Sequence, residues 1–178
     1  MIPGTTNNYD ASVSVPLPAA LNVAVSKTWQ DKYTFELNYE KTYWSAYKEL
    51  DFNYDRSIGV LAPVFDKTTP KNWQNTNTYR IGFTADVSDK LTLMASYAKD
   101  ETPILKKYVS YELPDSDANI YTFGFRIKAS ENLSYGAAYL RDEKDSFTLA
   151  TGENDNGIVG NFSGGGADLV TVGMAYKF

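Results

Sequence analysis

Side chains able to act on another molecule are few in kind here. The 178-residue chain has no histidine and no cysteine, which excludes a Ser-His-Asp triad, a cysteine nucleophile, an imidazole or thiolate zinc site and a disulfide framework. Cations set beside apolar groups remain. Lys106 and Lys107 stand between Leu105 and Tyr108, and Ile58, Val60, Leu61, Val64 and Phe65 lie between Arg56 and Lys67. Such neighbours suit a carboxylate that carries an alkyl tail, the cation taking the head group and the apolar side chains the tail. The other reading is that these residues pack loop on loop. Glu36, Glu40, Arg80, Asp86, Arg126 and Lys128 share one phase of an alternating pattern, where they line a solute path or pair with one another. The candidate ligand contacts are thus Leu105, Lys106, Lys107, Tyr108, Val64, Phe65, Arg80 and Arg126. Asp115, Asp117, Asp142, Asp145 and Asp155, with the Gly164-Gly165-Gly166 run, invite a calcium reading, but no spacing fits a calcium loop. Solvated loops are expected there, with no metal or cofactor. No enzyme activity is expected either, because the usual base for a hydrolytic nucleophile is missing.

The bulk figures narrow the class. The chain is 43% hydrophobic and 15% aromatic with a net charge of -5, a pI near 4.8 and a mean hydropathy of -0.39. An acidic balance with scattered cations leaves no footprint for nucleic acid. No apolar run approaches the roughly 18 residues of a spanning helix, yet a spanning β-barrel stays open because its alternating strands average out as hydrophilic. Met1-Ile2-Pro3-Gly4 has neither the basic nor the apolar region of a signal peptide, so none is expected in the chain as written.

Period two dominates, the mark of a strand with two unlike faces. It recurs in seven places. Val170, Val172, Met174, Tyr176 and Phe178 share a face; so do Tyr121, Phe123, Phe125 and Ile127; Tyr79, Ile81, Phe83, Ala85 and Val87; and Tyr33, Phe35, Leu37 and Tyr39. Weaker but in phase are Leu91 to Tyr97, Leu133 to Tyr139, and Val13 to Leu17 running on to Leu21 to Val25. Short polar turns are expected near residues 30–32, 88–90 and 130–132, and long loops near 44–76, 100–118 and 141–167. Short turns on one side and long loops on the other are the layout of an outer-membrane barrel. Trp29, Tyr33, Tyr176 and Phe178 would form one aromatic girdle, and Tyr43, Trp44, Trp73, Tyr79 and Tyr121 the opposite one. The strand ending Tyr176-Lys177-Phe178 resembles the terminal signal by which bacterial outer-membrane proteins are recognised for assembly.

Further motifs carry a family resemblance. Val15-Pro16-Leu17-Pro18-Ala19, Trp44-Ser45 with Tyr47-Lys48, Asn72-Trp73-Gln74-Asn75-Thr76 before Tyr79-Arg80-Ile81-Gly82, Asp100-Glu101-Thr102-Pro103 and Leu113-Pro114-Asp115-Ser116-Asp117 follow one another along the chain. In order and spacing they resemble the C-terminal half of the FadL/TodX family of outer-membrane channels. The resemblance implies an all-β, antiparallel transmembrane β-barrel of which about seven strands are present, half of a fourteen-stranded barrel, as one segment over residues 1–178. It implies passive uptake of hydrophobic molecules, long-chain fatty acids or hydrocarbons. The partners would be outer-membrane lipid, the barrel-assembly machinery and a missing N-terminal half or a second copy. Two departures stand out: the family's lumen-facing arginine after Pro-Asp-x-Asp is Ala118 here, and the family's plug and first strands are absent. Seven strands leave two unpaired edges, unless Val13 to Leu17 makes an eighth. A non-transporting structural or adhesive barrel, and a soluble β-barrel lipid binder, are the alternative readings.

Overall fold

The computed structural model describes residues 8–178; Met1 to Gly4, which carry no signal-peptide features in the sequence, lie outside them. Seven long strands form one antiparallel meander: β1 (Ala20–Trp29), β2 (Tyr33–Thr42), β3 (Thr76–Ser88), β4 (Leu91–Asp100), β5 (Ala118–Lys128), β6 (Leu133–Lys144) and β7 (Gly166–Tyr176). Among the described residues each pairs only with its sequence neighbours, so β1 and β7 are the edges of the sheet. The alternation assigns the faces. Across one row the register aligns Phe35, Phe83, Ala95, Phe123, Tyr139 and Val170, and the row beside it aligns Glu36, Gly82, Ser96 and Thr122 on the other face.

Exposure shows which face is outside. The polar face bears a cavity of about 760 Å³ lined from Asp31 and Lys32 across to Ser134 of β6, and a second of about 600 Å³ lies on the apolar face over Phe83, Phe123 and Tyr139; in a membrane barrel the polar face is the inner one. A soluble barrel needs the opposite, with its apolar face enclosed. Here Val25, Phe83, Phe123, Val170 and Val172 are all turned outward and exposed. A contiguous apolar band of this size is untenable in water and is the lipid-facing belt of a membrane barrel.

The turns differ in construction. Gln30 and Asp31 both take a left-handed φ of 53°, and Lys32 N donates to Trp29 O at 3.0 Å, the primed geometry that matches strand twist. Ser88 Oγ accepts from the amides of Lys90 and Leu91, and Ser130 Oγ does the same for Asn132 and Leu133. On the other side the connections carry structure of their own. Ala11–Val13 pairs with Phe52–Tyr54, Glu49–Leu50 with Thr69–Pro70, and Phe147–Leu149 with Gly160–Phe162. Val13 therefore belongs to a small two-stranded sheet on the loop side, neither continuing β1 nor making an eighth spanning strand. The reason is local: Pro16 and Pro18 supply no ladder donors, so the alternation of Val13 to Leu17 cannot run into β1.

The buried apolar core lies in the loops. Ile104, Val109, Leu149 and Ile158 form it, with Trp73, Phe147 and Phe162 packed against it.

Two glycines on the inner phase of β6 and β7 differ in the room they leave. A Cβ on Gly136 would lie 2.4 Å from the Phe125 carbonyl oxygen, whereas one on Gly173 would meet nothing within 4 Å. Gly136→Ala is expected to destabilise the folded barrel by about 1–3 kcal/mol and Gly173→Ala to leave it unchanged. Urea titration followed by the gel-mobility difference between heated and unheated protein reads both; equal stabilities would refute the close approach.

Candidate functional site

Three features of the inner face and loops could meet a solute. The first is a cavity of about 500 Å³ under the loops, lined by Glu40, Thr42, Trp44, Trp73, Thr76, Thr78, Arg80, Asp100, Glu101, Pro103, Leu113 and Asp115. Its strand residues all belong to the polar phase of β2, β3 and β4, and its apolar roof comes from the loops. Trp73 meets Trp44 and Tyr47 edge-on, each pair with ring centroids 4.9 Å apart. Burial pushes the Tyr47 phenol above its ordinary value. On the floor, Arg80 donates to Glu40 at 3.1 Å and Asn38 at 3.2 Å, with Asn22 on Glu40 at 3.0 Å. The cavity is amphipathic, aromatic at the mouth and charged at the base.

The aromatic girdle is thereby corrected. Trp44 and Trp73 do not face lipid; they turn inward, held by Tyr47 and the loop backbone, with Trp73 N donating to Tyr47 O at 3.1 Å. Tyr79 and Tyr121 do lie on the outer belt, joined by Tyr39 and Tyr97 at 5.4 Å in each pair, and by Tyr139 and Arg141, which share Asp168. At the opposite rim Trp29 and Tyr33 pair across the first turn, and the Tyr176 and Phe178 rings lie 5.7 Å apart.

The second feature is the loop surface. Lys106–Tyr108 is a short helical turn from which Lys106 donates to the Thr148 carbonyl at 3.0 Å. Lys107 lies 3.7 Å from Asp155 and 5.7 Å from the Tyr108 ring centre. Leu105 is exposed, Tyr108 half-buried, and their neighbour Ile104 is in the loop core. Val64 and Phe65 sit apart, on a four-residue helix Ala62–Phe65, and both are exposed; Val60 beside them is 86% exposed while Ile58 is buried. The candidates thus fall in two loops, Leu105, Lys106, Lys107 and Tyr108 in one and Val64 with Phe65 in the other.

Loop carboxylates read as solvated are mostly tethers. Asp115 lies 2.7 Å from Lys144 and accepts from Thr102, Asp117 accepts from the Thr102 amide, and Asp145 holds Lys99 and Asn119. Asn154 was not legible as important and is buried: it donates to the Lys106 and Val109 carbonyls and accepts from the amides of Asn156 and Ile158. The Glu112 carboxyl is held below its usual range by a hydrogen bond from its own backbone amide, with Ser110 and the nearby Lys71 adding to the effect.

The third feature is the turn-side cavity, lined by Asp31, Lys32, Asp86, Ser88, Asp89, Lys90, Thr92, Arg126, Lys128 and Ser134. Arg126 is here, and Arg80 in the cavity under the loops.

Comparisons with known proteins agree with this architecture. The profile of the family described as "Outer membrane protein transport protein (OMPP1/FadL/TodX)" matches residues 2–178. Among solved structures, a Pseudomonas aeruginosa FadL homologue superposes with a TM-score of 0.70 at 24% identity, covering 92% of this chain and 36% of that one. The Pseudomonas putida toluene transporter TodX superposes with a TM-score of 0.57 at 15% identity, covering 79% and 32%. The chain thus spans about a third of the length of each. No curated protein sequence matches it significantly.

The three tryptophans test the assignment of faces. In vesicles of lipid brominated on its acyl chains, a Trp44→Phe/Trp73→Phe protein, which keeps Trp29, should lose most of its emission, and a Trp29→Phe protein should keep it. Equal quenching of the two would place Trp44 and Trp73 in lipid. Asn154→Ala should loosen the loop cap without unfolding the barrel, costing about 1–3 kcal/mol locally. Faster proteolysis within residues 141–167 at unchanged gel mobility is the expected result.

Proposed function

The chain belongs to the outer-membrane transport protein family OMPP1/FadL/TodX, and from that premise we propose that it forms one wall of a channel for passive uptake of hydrophobic molecules, long-chain fatty acids or hydrocarbons, across the outer membrane. The observation that carries the reading is the amphipathic cavity under the loops. An apolar solute crosses a hydrated surface layer poorly, and the Trp44, Trp73, Pro103 and Leu113 mouth offers it apolar contact before the polar lumen begins. The exposed Val60, Val64 and Phe65, together with Leu105, Lys106, Lys107 and Tyr108, form the capture surface above it. No bond is made or broken in this role.

Closure needs further strands. Six antiparallel pairings in series make β1 and β7 run the same way. A second copy in the same membrane orientation would therefore meet each edge with a parallel strand. A segment with an odd number of strands, running against both edges, closes the barrel antiparallel throughout, and we assign this role to N-terminal strands and a plug of the same protein. The ending Tyr176-Lys177-Phe178 serves as the signal for the assembly machinery.

In cells depleted of other such channels, expression should raise uptake of a radiolabelled long-chain fatty acid or of a hydrocarbon. Trp44→Ala/Trp73→Ala should cut that uptake about three- to tenfold at equal outer-membrane levels. Uptake of neither solute class would leave a structural or adhesive barrel as the better reading.

A further inference from the structure

We propose that residues 110–114 form a flap over the cavity under the loops, latched by Glu112 to Lys71, and that opening of this flap sets how fast a solute enters. The purpose rests on the uptake reading, since that cavity is the one assigned to the solute; the latch itself does not.

The segment is fixed at both ends and loose between them. Before it, Val109 is buried in the loop core, and its carbonyl accepts from Asn154 at 2.9 Å and from Asn156 at 3.0 Å. After it, Asp115 lies 2.7 Å from Lys144. Between these anchors the chain makes a turn closed on itself, Leu113 N donating to Ser110 O at 3.3 Å. Tyr111 is 75% exposed and Leu113 47%, so little apolar burial holds the turn down. Segments with few buried contacts open at the least cost. Yet Leu113 belongs to the roof of the cavity, with Trp44, Trp73 and Pro103.

The facing side of the mouth is pinned. Lys71 and Asn72 donate their amides to the Lys48 carbonyl at 2.7 and 2.8 Å, Trp73 donates to Tyr47 at 3.1 Å, and Gln74 to Pro103 at 2.9 Å. Two residues before Trp73, the Lys71 side chain is only 10% exposed, whereas that of Glu112, 4.0 Å away, is 71% exposed. Among the described residues Lys71 has no other carboxylate within 4.0 Å, and no other ion pair joins the turn to the rest of the chain. A pinned, desolvated cation cannot follow the turn outward, but an exposed carboxylate can leave it. Separation leaves the ammonium without its counter-charge, which favours return; an exposed partner at this distance makes the pair weak enough to part often. The two ends are unequal in the way a fixed catch and a moving hook are.

No cysteine occurs in this chain, so a single introduced thiol can report on the mouth. Thr76 lines the cavity under the loops and is 4% exposed; Ser134 lines the turn-side cavity and serves as control. The protein at its native length, with any cysteine outside this chain changed to serine, is placed in lipid nanodiscs. Labelling of Thr76→Cys by a water-soluble maleimide should quicken about two- to fivefold when Glu112→Gln is added, and further with Glu112→Lys, which sets like charges together. Labelling of Ser134→Cys should change with neither. An unchanged rate at Thr76→Cys in the Glu112→Lys protein overturns the latch, and so does equal quickening at both thiols, the mark of general loosening. Uptake is read separately with Lys71→Cys/Glu112→Cys. Bridging these two thiols with a short bis-maleimide should slow uptake of a radiolabelled long-chain fatty acid severalfold, and an unchanged rate overturns the flap as the entry gate. No uptake in any form, with the labelling as expected, sinks the transport reading and keeps the latch.

Discussion

Backbone hydrogen bonding in a medium without water is the constraint on which everything else in this molecule depends. Inside lipid each unsatisfied amide or carbonyl costs several kcal/mol, so a strand must be paired along both sides. Five of the seven strands meet that condition and the two edges do not. Each edge strand is about ten residues long, too many donors and acceptors to leave in hydrocarbon. The parity of the meander then decides what can cover them, because β1 and β7 point the same way and only strands pointing the other way continue the antiparallel ladder.

The same constraint separates the places where stability is generated. A lipid-facing sheet gains little from burying its outer side chains, since acyl tails are as apolar as they are. Water is excluded on the loop side instead, and there Ile104, Val109, Leu149 and Ile158 collapse into a core. Asn154 completes it by satisfying carbonyls of residues 106 and 109 that the collapse removes from water. Carboxylates follow the same logic. Asp115, Asp117 and Asp145 tie loop segments to strand ends, so the cap over the lumen is built and the cavity beneath it keeps its shape.

What the sequence disclosed divides along this line. Alternation is a direct record of two unlike solvents, and Tyr121-Phe123-Phe125 against Thr122-Gly124-Arg126 is enough to place a strand and its faces. Seven strands were legible for that reason, as was an outward belt ending in aromatics. Val13 misled because alternation across Pro16 and Pro18 looks like a strand that cannot donate to a ladder. Trp44 and Trp73 misled for a different reason: aromatics near a strand end suit an interface equally well whether they face lipid or pack under a loop. Only the 4.9 Å contacts with each other and with Tyr47 decide it. Asn154 and the loop aspartates carried no periodic signal at all, because their partners lie in segments brought near by long-range folding.

The lumen wall poses the remaining physical question, since its middle is threonine, serine, glutamate and glycine, a poor surface for a hydrocarbon. Thr34, Glu36, Gly82, Thr84, Ser96 and Thr122 line that middle, with Phe83, Met94 and Ala95 adding apolar surface. Apolar surface is concentrated at the ends, in the Trp44 and Trp73 mouth and in the small-residue bed beside Arg126. A solute held by its alkyl portion at either end must cross the middle with that portion sheltered, either by strands and a plug that complete the lumen or by its own polar head keeping to the wall. A purely polar wall would also suit a water-filled pore, but such a pore has no use for two inward-turned tryptophans at its outer mouth. The combination of wet wall and apolar termini supports the path proposed above for hydrophobic molecules, with apolar contact at each end and polar contact between.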